Sequence, residues 1–137
     1  MTTSTSTATL GLCLTLLGAC FSSTTSEPPP VAESPALVGT LIVDWTINGV
    51  HDPAQCQQSS AAAIDVIVSG PDGGRFRQDC TAFATSISLP RGNYTASAVL
   101  LDSSGDDRTT AVQLDAFVIR GNDQLTIPID FPADSFR

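Results

Sequence analysis

The sequence predicts an all-β protein, and more specifically a single antiparallel β-sandwich of about seven strands. Between Leu37 and Phe131, apolar and polar residues alternate with a period of two in most segments, as in strands that bury one face. Turns rich in Gly, Asn, Asp and Pro separate these segments, and no long helical pattern interrupts them. Short strands at such regular spacing are typical of a β-sandwich.

The first predicted strand runs from Leu37 to Ile47, and its apolar face consists of Leu41, Val43, Trp45 and Ile47. The dipeptide Asn48-Gly49 should turn the chain at its end. The stretch from His51 to Ala63 is the least regular of the domain. Within it, Asp52 followed by Pro53 can cap and begin a short helix.

A hairpin and a further strand come next. The predicted strands Ile64–Ser69 and Arg75–Cys80 flank the turn-forming residues 70–74, and Gly, Pro and Asp in that turn favour a direct return of the chain. In the returning strand, Phe76 is the residue expected to point inward. The strand Ala82–Leu89 continues the same alternation.

Three more strands complete the predicted fold. Tyr94–Leu101 is apolar on both faces in its second half, which suits a central strand. Thr109–Ile119 changes its apolar phase near Asp115-Ala116, so we expect a bulge or a break there. Leu125–Phe131 alternates cleanly, but Pro128 cannot donate to a neighbouring strand, which predicts an edge strand or a locally unpaired one.

One segment resembles a known group of domains. From Leu89 to Leu101 the sequence reads as a proline/glycine turn, a tyrosine and an alternating strand, which is similar to transthyretin-like and carboxypeptidase-regulatory-like domains. The resemblance covers roughly Ile64 to Phe131 and implies a small extracytoplasmic sandwich serving as a structural or binding module. An immunoglobulin-like sandwich is the alternative, although immunoglobulin domains place a tryptophan between two cysteines, and here Trp45 precedes both candidates.

The N-terminal region carries a short apolar run, Leu10 to Cys20, that ends in Leu17-Gly18-Ala19-Cys20. The run has the length of a signal-peptide core and is too short to span a bilayer. Its end resembles the lipobox of bacterial lipoprotein precursors. The resemblance implies that residues 1–19 are a lipoprotein signal peptide and that Cys20 becomes the lipidated first residue of the mature protein.

The predicted anchor places the protein in the cell envelope, with the membrane as a partner through lipid. In the lipoproteins that this segment resembles, an Asp after the cysteine often signals retention in the inner membrane. Phe21 follows Cys20 here, so the resemblance implies the outer membrane rather than the inner one. Residues 20–36 then comprise the lipidated cysteine and a Ser/Thr/Pro-rich disordered linker, and residues 37–137 form the sandwich domain.

Two alternatives to the lipid anchor stay open. An ordinary secretory signal cut near Ala19 would give a secreted protein. An unprocessed, disordered N-terminus is the other alternative, because Met1 to Thr9 lacks the Lys or Arg expected at the start of a signal peptide.

The charge of the chain excludes one class of partner. The net charge is −8, and all six basic residues are scattered arginines. Such a chain offers no basic patch for a phosphate backbone, so we do not expect it to bind nucleic acid.

Cysteine parity predicts a disulfide. Cys13 lies in the predicted signal peptide and Cys20 is the predicted lipid attachment site, which leaves Cys56 and Cys80. In an exported chain such a pair is expected to be oxidised. Two buried free thiols are the alternative. A zinc site would need carboxylates, because His51 is the only histidine.

The sequence contains no recognisable catalytic, cofactor or metal motif. His51 lies by a turn with no specified nucleophile, and Asp102, Asp106 and Asp107 are expected to form a solvated acidic turn rather than a calcium site. Asp44 and Asp65 could act as acid and base only if the fold brought them together.

These observations predict a non-enzymatic binding or structural module in the cell envelope, whose partner is an unknown envelope protein or glycan. An envelope hydrolase that uses carboxylates, or a secreted inhibitor or adhesin-like ligand, is the alternative. Loops on a rigid scaffold commonly carry binding residues. The predicted binding loop is therefore the His51–Ala63 stretch, with His51, Gln57 and Gln58 as its contact residues; the edge strand Gln124–Phe131 is the rival site.

Overall fold

A computed structural model describes residues 28, 30 and 36–137 of the chain. The predicted signal peptide, the predicted lipid attachment site Cys20 and most of the predicted linker lie outside the described residues. None of the described helices is both long enough and apolar enough to cross a membrane.

The described region contains seven strands and one short α-helix, which confirms the predicted all-β class and the predicted number of strands. In chain order the elements are β1 (Val38–Ile47), α1 (Pro53–Gln58), β2 (Ala63–Ser69), β3 (Gly74–Asp79), β4 (Ala84–Pro90), β5 (Gly92–Leu101), β6 (Val112–Ile119) and β7 (Gln124–Phe131). Single 3₁₀ turns span Cys80–Ala82 and Ala133–Ser135.

The strands form two sheets, one in the order β4-β1-β7 and one in the order β3-β2-β5-β6. Every pairing is antiparallel except that of β1 with β7, which is parallel. The expectation of a wholly antiparallel fold was therefore wrong at this pair. The alternation of apolar and polar residues is the same in both directions, so it carries no information about which way a distant neighbour runs.

One hydrophobic core lies between the inner faces of the two sheets. The alternate residues Leu41, Val43, Trp45 and Ile47 of β1 are completely buried, as the pattern predicted. From the other sheet, Ile64 and the remaining inner residues of β2 and β5 close the same cluster. Phe76 packs against it from β3, as expected.

The predicted change of phase in the sixth strand is present as a bulge. The register between β5 and β6 shifts between the pairs Tyr94–Phe117 and Ala96–Leu114. The extra residue falls at Asp115-Ala116, so Leu114 and Phe117 both point into the core although they are an odd number of residues apart.

Strand β7 is an edge strand, as Pro128 predicted. Opposite Pro128 in the parallel pair lies Asp44 of β1. A proline is tolerated there because an edge strand leaves half of its backbone N–H groups without a ladder partner.

Tyr94 joins the two turns that precede and follow the β3–β4 region. Its hydroxyl lies 2.6 Å from the carbonyl of Pro90 and 2.8 Å from that of Pro71, and it donates its one proton to this pair of acceptors. The ring lies close to Gly70 and Gly92, and a Cβ added at Gly70 would come within 2.5 Å of it. The two glycines thus make room for the tyrosine.

We expect Tyr94→Phe to lower the free energy of unfolding by about 1 kcal/mol, because the partly buried hydrogen bonds to the carbonyls of Pro90 and Pro71 lose their donor. Burial, and secondarily the charge of Asp72, raises the pKa of the Tyr94 hydroxyl. Because the unfolded chain ionises first, the parent should also lose stability above about pH 10, and this alkaline loss should shrink in the variant.

Thermal melts at neutral and alkaline pH test this expectation. Thr95→Ala, at the exposed neighbouring position, is the control and should melt like the parent. A Tyr94→Phe variant that melts with the parent at both pH values would show that the hydroxyl contributes nothing.

Candidate functional site

The irregular stretch after β1 begins with a capped helix, which a disulfide fastens to the domain. Asp52 caps α1, and its side chain accepts a hydrogen bond from the N–H of Ala54 at 2.9 Å, as predicted. Cys56 forms a disulfide with Cys80, which confirms the predicted pairing, with 6.1 Å between the two Cα atoms. The buried indole of Trp45 donates to the Cys80 carbonyl at 3.1 Å, so the disulfide is tied directly to the core.

The structure does not bring the three predicted binding residues into one depression. His51 lies 2.8 Å from a carboxylate oxygen of Asp44, and its ring packs against Phe83 with 5.5 Å between centroids. Gln57 is exposed on α1. Only Gln58 lines a shallow depression of about 300 Å³.

Of the residues that line this depression, only Gln58 was predicted as a contact residue, and two of the others are held there by hydrogen bonds. Gln55 accepts from the side-chain amide of Asn48 at 3.2 Å, and Arg108 donates from Nε to the carbonyl of Ser59 at 3.1 Å. Arg108 lies about 50 residues further along the chain than Ser59, and no local pattern connects them. Adjacent residues of a helix point in different directions, so the helical spacing along α1 was the one signal that could have shown that Gln57 and Gln58 do not share a face.

A buried carboxylate on the outer face of the second sheet was also missed. Asp65 is only 1% exposed, and two arginines of β3 hold it: Nε of Arg77 at 2.9 Å and Nε of Arg75 at 3.2 Å. The hydrogen bond and charge of Asp65 raise the pKa of Arg77. Asp65 and Arg77 are directly opposite in the β2–β3 register, so their spacing about the hairpin turn was the available signal.

The two aspartates considered as an acid–base pair have separate partners. Asp44, on the first sheet, contacts His51, whereas Asp65, on the second, contacts arginines. The structure therefore does not join them into one site.

The acidic turn after β5 is organised by its own backbone. Asp102 accepts from the N–H of Asp106 at 3.0 Å and of Ser104 at 2.8 Å, and these bonds lower the pKa of its carboxyl. Across the described residues, no three His, Cys, Asp or Glu side chains are grouped closely enough to hold a metal ion.

A groove opens where the edges of the two sheets approach each other. Strands β6 and β7 line it on opposite sides, it has a volume of about 450 Å³, and no backbone ladder joins the two strands in the described region. Its apolar wall is formed by Val112 and Leu114 of β6 and by Leu125, Ile127 and Ile129 of β7.

The charged residues that line this groove are both acidic. Asp115 comes from the bulge of β6, and Asp130 lies near the end of β7. The Asp130 carboxylate is partly engaged, since it accepts from the hydroxyl of Thr46 at 2.7 Å and from the N–H of Gly49 at 2.9 Å. Asp115 is exposed. The groove is thus an apolar slot with an acidic rim.

Comparison with known proteins gives no family. No protein-family model and no curated protein matches the sequence. Among solved structures, the chain is similar to a leucine-rich repeat protein from Bacteroides thetaiotaomicron VPI-5482, with 14% identity and a TM-score of 0.45. The similarity covers 72% of this chain but only 12% of that one, so this chain spans a small part of that protein's length. A similarity at this level does not establish a shared fold.

Proposed function

We propose that the protein is a lipid-anchored, non-enzymatic binding module of the cell envelope. The observation that carries the anchor is the apolar run ending in Leu17-Gly18-Ala19-Cys20. The Cys56–Cys80 disulfide supports export, because such bonds persist in oxidising compartments and are rare in the cytosol. Phe21 after Cys20 favours the outer membrane as the destination.

Within this proposal, residues 20–36 are a tether between membrane and domain. This segment contains four prolines and several serines and threonines, a composition that favours extended, flexible chain. Two acyl chains or more on Cys20 would give stable attachment, whereas one chain would give only marginal binding. The acidic domain is repelled by anionic head groups, so lipid rather than charge holds it.

The domain itself is proposed to be a transthyretin-like or carboxypeptidase-regulatory-like sandwich. The support is the turn that carries the resemblance: Pro90, Gly92 and Tyr94 act together, with the tyrosine hydroxyl bonded back to Pro90 and Gly92 packed beside Pro71. A tyrosine bonded back to the upstream backbone is also known from immunoglobulin-like sandwiches. Both descriptions imply a rigid scaffold with its function at loops or edges.

The non-enzymatic part of the proposal rests on the surroundings of the histidine. Among the described residues, the imidazole of His51 is hydrogen-bonded to Asp44 and to no serine, threonine or cysteine. A nucleophilic mechanism would place a hydroxyl or thiol within reach of this base. The His51–Asp44 pair therefore has the geometry of a surface contact that holds the start of the loop.

Mass spectrometry of the protein from its native host tests the anchor. We expect the mature chain to begin at Cys20, to carry a lipid adduct there and to partition into detergent with the outer-membrane fraction. Cys20→Ala should abolish the adduct, because the substitution removes the thiol that accepts the lipid.

Cys13→Ala is the matched control, since this cysteine lies in the same apolar run and should leave lipidation unchanged. A soluble mature protein with an unmodified Cys20, or one beginning at another residue, would refute the anchor.

A further inference from the structure

We propose that the groove between β6 and β7 binds an extended segment of a partner protein, in which apolar residues alternate with Lys or Arg, and that this segment adds a strand to β7. The inference rests on the proposed function as a binding module and names its site and the chemistry of its partner. Strand addition of this kind combines main-chain hydrogen bonds with pockets for alternate side chains.

The inner face of β7 is incompletely buried. Leu125, Ile127 and Ile129 face the core but are only partly buried. Their direct neighbours on β1, Leu41, Val43 and Trp45, are completely buried. The apolar side of β7 is therefore left half open along the groove. Its three apolar side chains are spaced two residues apart, which is also the spacing of side chains on one face of an added strand.

The backbone edge of β7 that faces away from β1 is not covered by any other described strand. The N–H of Thr40 donates to the carbonyl of Asp123 at 2.7 Å, and that of Asn48 donates to the carbonyl of Phe131 at 3.1 Å. Residues that bond to one neighbour alternate along a strand with residues that face the other side. By this alternation, the odd-numbered residues of β7 bond to β1, and the even-numbered ones face the open edge.

The open edge therefore offers a defined set of hydrogen-bonding groups. Thr126 and Asp130 present both an N–H and a carbonyl, whereas Pro128 presents only a carbonyl. The edge is blunted at one position and still able to pair on both sides of it. This arrangement limits uncontrolled strand addition without abolishing it.

The charge of the groove selects the occupant. The groove is rimmed by Asp115 and Asp130, and the chain carries a net charge of −8. A second copy would bring the same carboxylates against each other, which costs free energy. The chain's own residues 20–36 contain Glu27 and Glu33 and no basic residue, together with prolines that cannot donate. A basic strand from another protein complements the rim.

The test uses the full-length mature protein in detergent and two synthetic peptides with blocked ends. One peptide alternates valine with lysine and the other alternates valine with glutamate. Titration calorimetry at low salt should show binding of the lysine peptide, with the glutamate peptide weaker by about tenfold or more. Added salt should weaken the lysine peptide's binding.

Substitutions on the edge separate strand addition from simple charge attraction. Thr126→Pro removes one outward N–H and leaves the bonds to β1 in place, so the lysine peptide should bind about tenfold more weakly. Pro128→Val restores an outward N–H and should tighten binding severalfold; this gain does not depend on whether Thr126→Pro folds. Asp115→Arg should weaken binding, whereas Asp106→Arg, at an exposed carboxylate that does not line the groove, should not.

Several results would overturn the proposal. These are equal binding of both peptides, no gain from Pro128→Val, or a parent protein that is dimeric by light scattering and becomes monomeric with Thr126→Pro. The site would instead be the loop if a triple variant with His51→Ala, Gln57→Ala and Gln58→Ala bound the lysine peptide more weakly while the edge substitutions left binding unchanged. Lipid analysis of Cys20 reads the anchor separately, so a failed groove and a failed anchor are distinguishable.

Discussion

Replacing Cys56 and Cys80 together with alanine is expected to lower the free energy of unfolding by about 3 kcal/mol. The disulfide closes a loop across a sequence separation of 24, and the chain-entropy model gives this size of effect for such a loop. For a domain of about 100 residues, the melting temperature should fall by about 15 °C. The helix α1 should become the most mobile part of the domain, because it loses its covalent link to Cys80, whose carbonyl is hydrogen-bonded to the buried Trp45.

Calorimetry with and without reductant checks this expectation. Reductant should lower the melting temperature of the parent and leave that of the double alanine variant unchanged. The variant thus controls for effects of the reductant other than reduction of this disulfide. Two titratable thiols in the folded, non-reduced parent, or identical melts in all four samples, would contradict it.

Replacing Arg75 and Arg77 together with glutamine is expected to produce a loss of similar size. The Asp65 carboxylate is almost completely buried and is held by these two arginines. A buried charge stripped of its partners costs about 3 kcal/mol.

The sharpest control for this prediction is a rescue. Adding Asp65→Asn to the double variant removes the charge and should restore most of the stability at neutral pH. Arg91→Gln with Arg120→Gln changes two exposed arginines by the same chemistry and should have little effect. If the Arg75 and Arg77 variant is as stable as the parent at neutral pH, the ion pairs do not stabilise the fold.

Features set by local sequence were predictable. Side-chain alternation along a strand reports its buried face, so the pattern predicted the core residues of β1 and the bulge near Asp115. Pro128 predicted an edge strand because a proline lacks a donor. Asp52 predicted a helix cap because capping is also local: its side chain accepts a hydrogen bond from a residue only two positions away.

Features set by distant neighbours were not predictable. The pairing of Val43 with Ile127 joins residues far apart in the chain, and nothing in either segment specifies the direction of the other. The groove lies between β6 and β7 because each is the edge strand of its sheet, and the edge strands are known only from the complete strand order. The predicted binding loop was defined by sequence proximity, but the turn before α1 directs His51 to Asp44 while Gln58 lies near Arg108.

The central position of β1 in its sheet decides how the domain would respond to mechanical force. If Cys20 carries the proposed lipid anchor, a force on the domain would pull on β1 from its N-terminal end, along the strand axis. Hydrogen bonds to β4 on one side and to β7 on the other lie across that axis, so the pull loads both rows in shear and many bonds must break together. An N-terminal strand at the margin of a sheet, peeled from its end, would instead open one bond at a time.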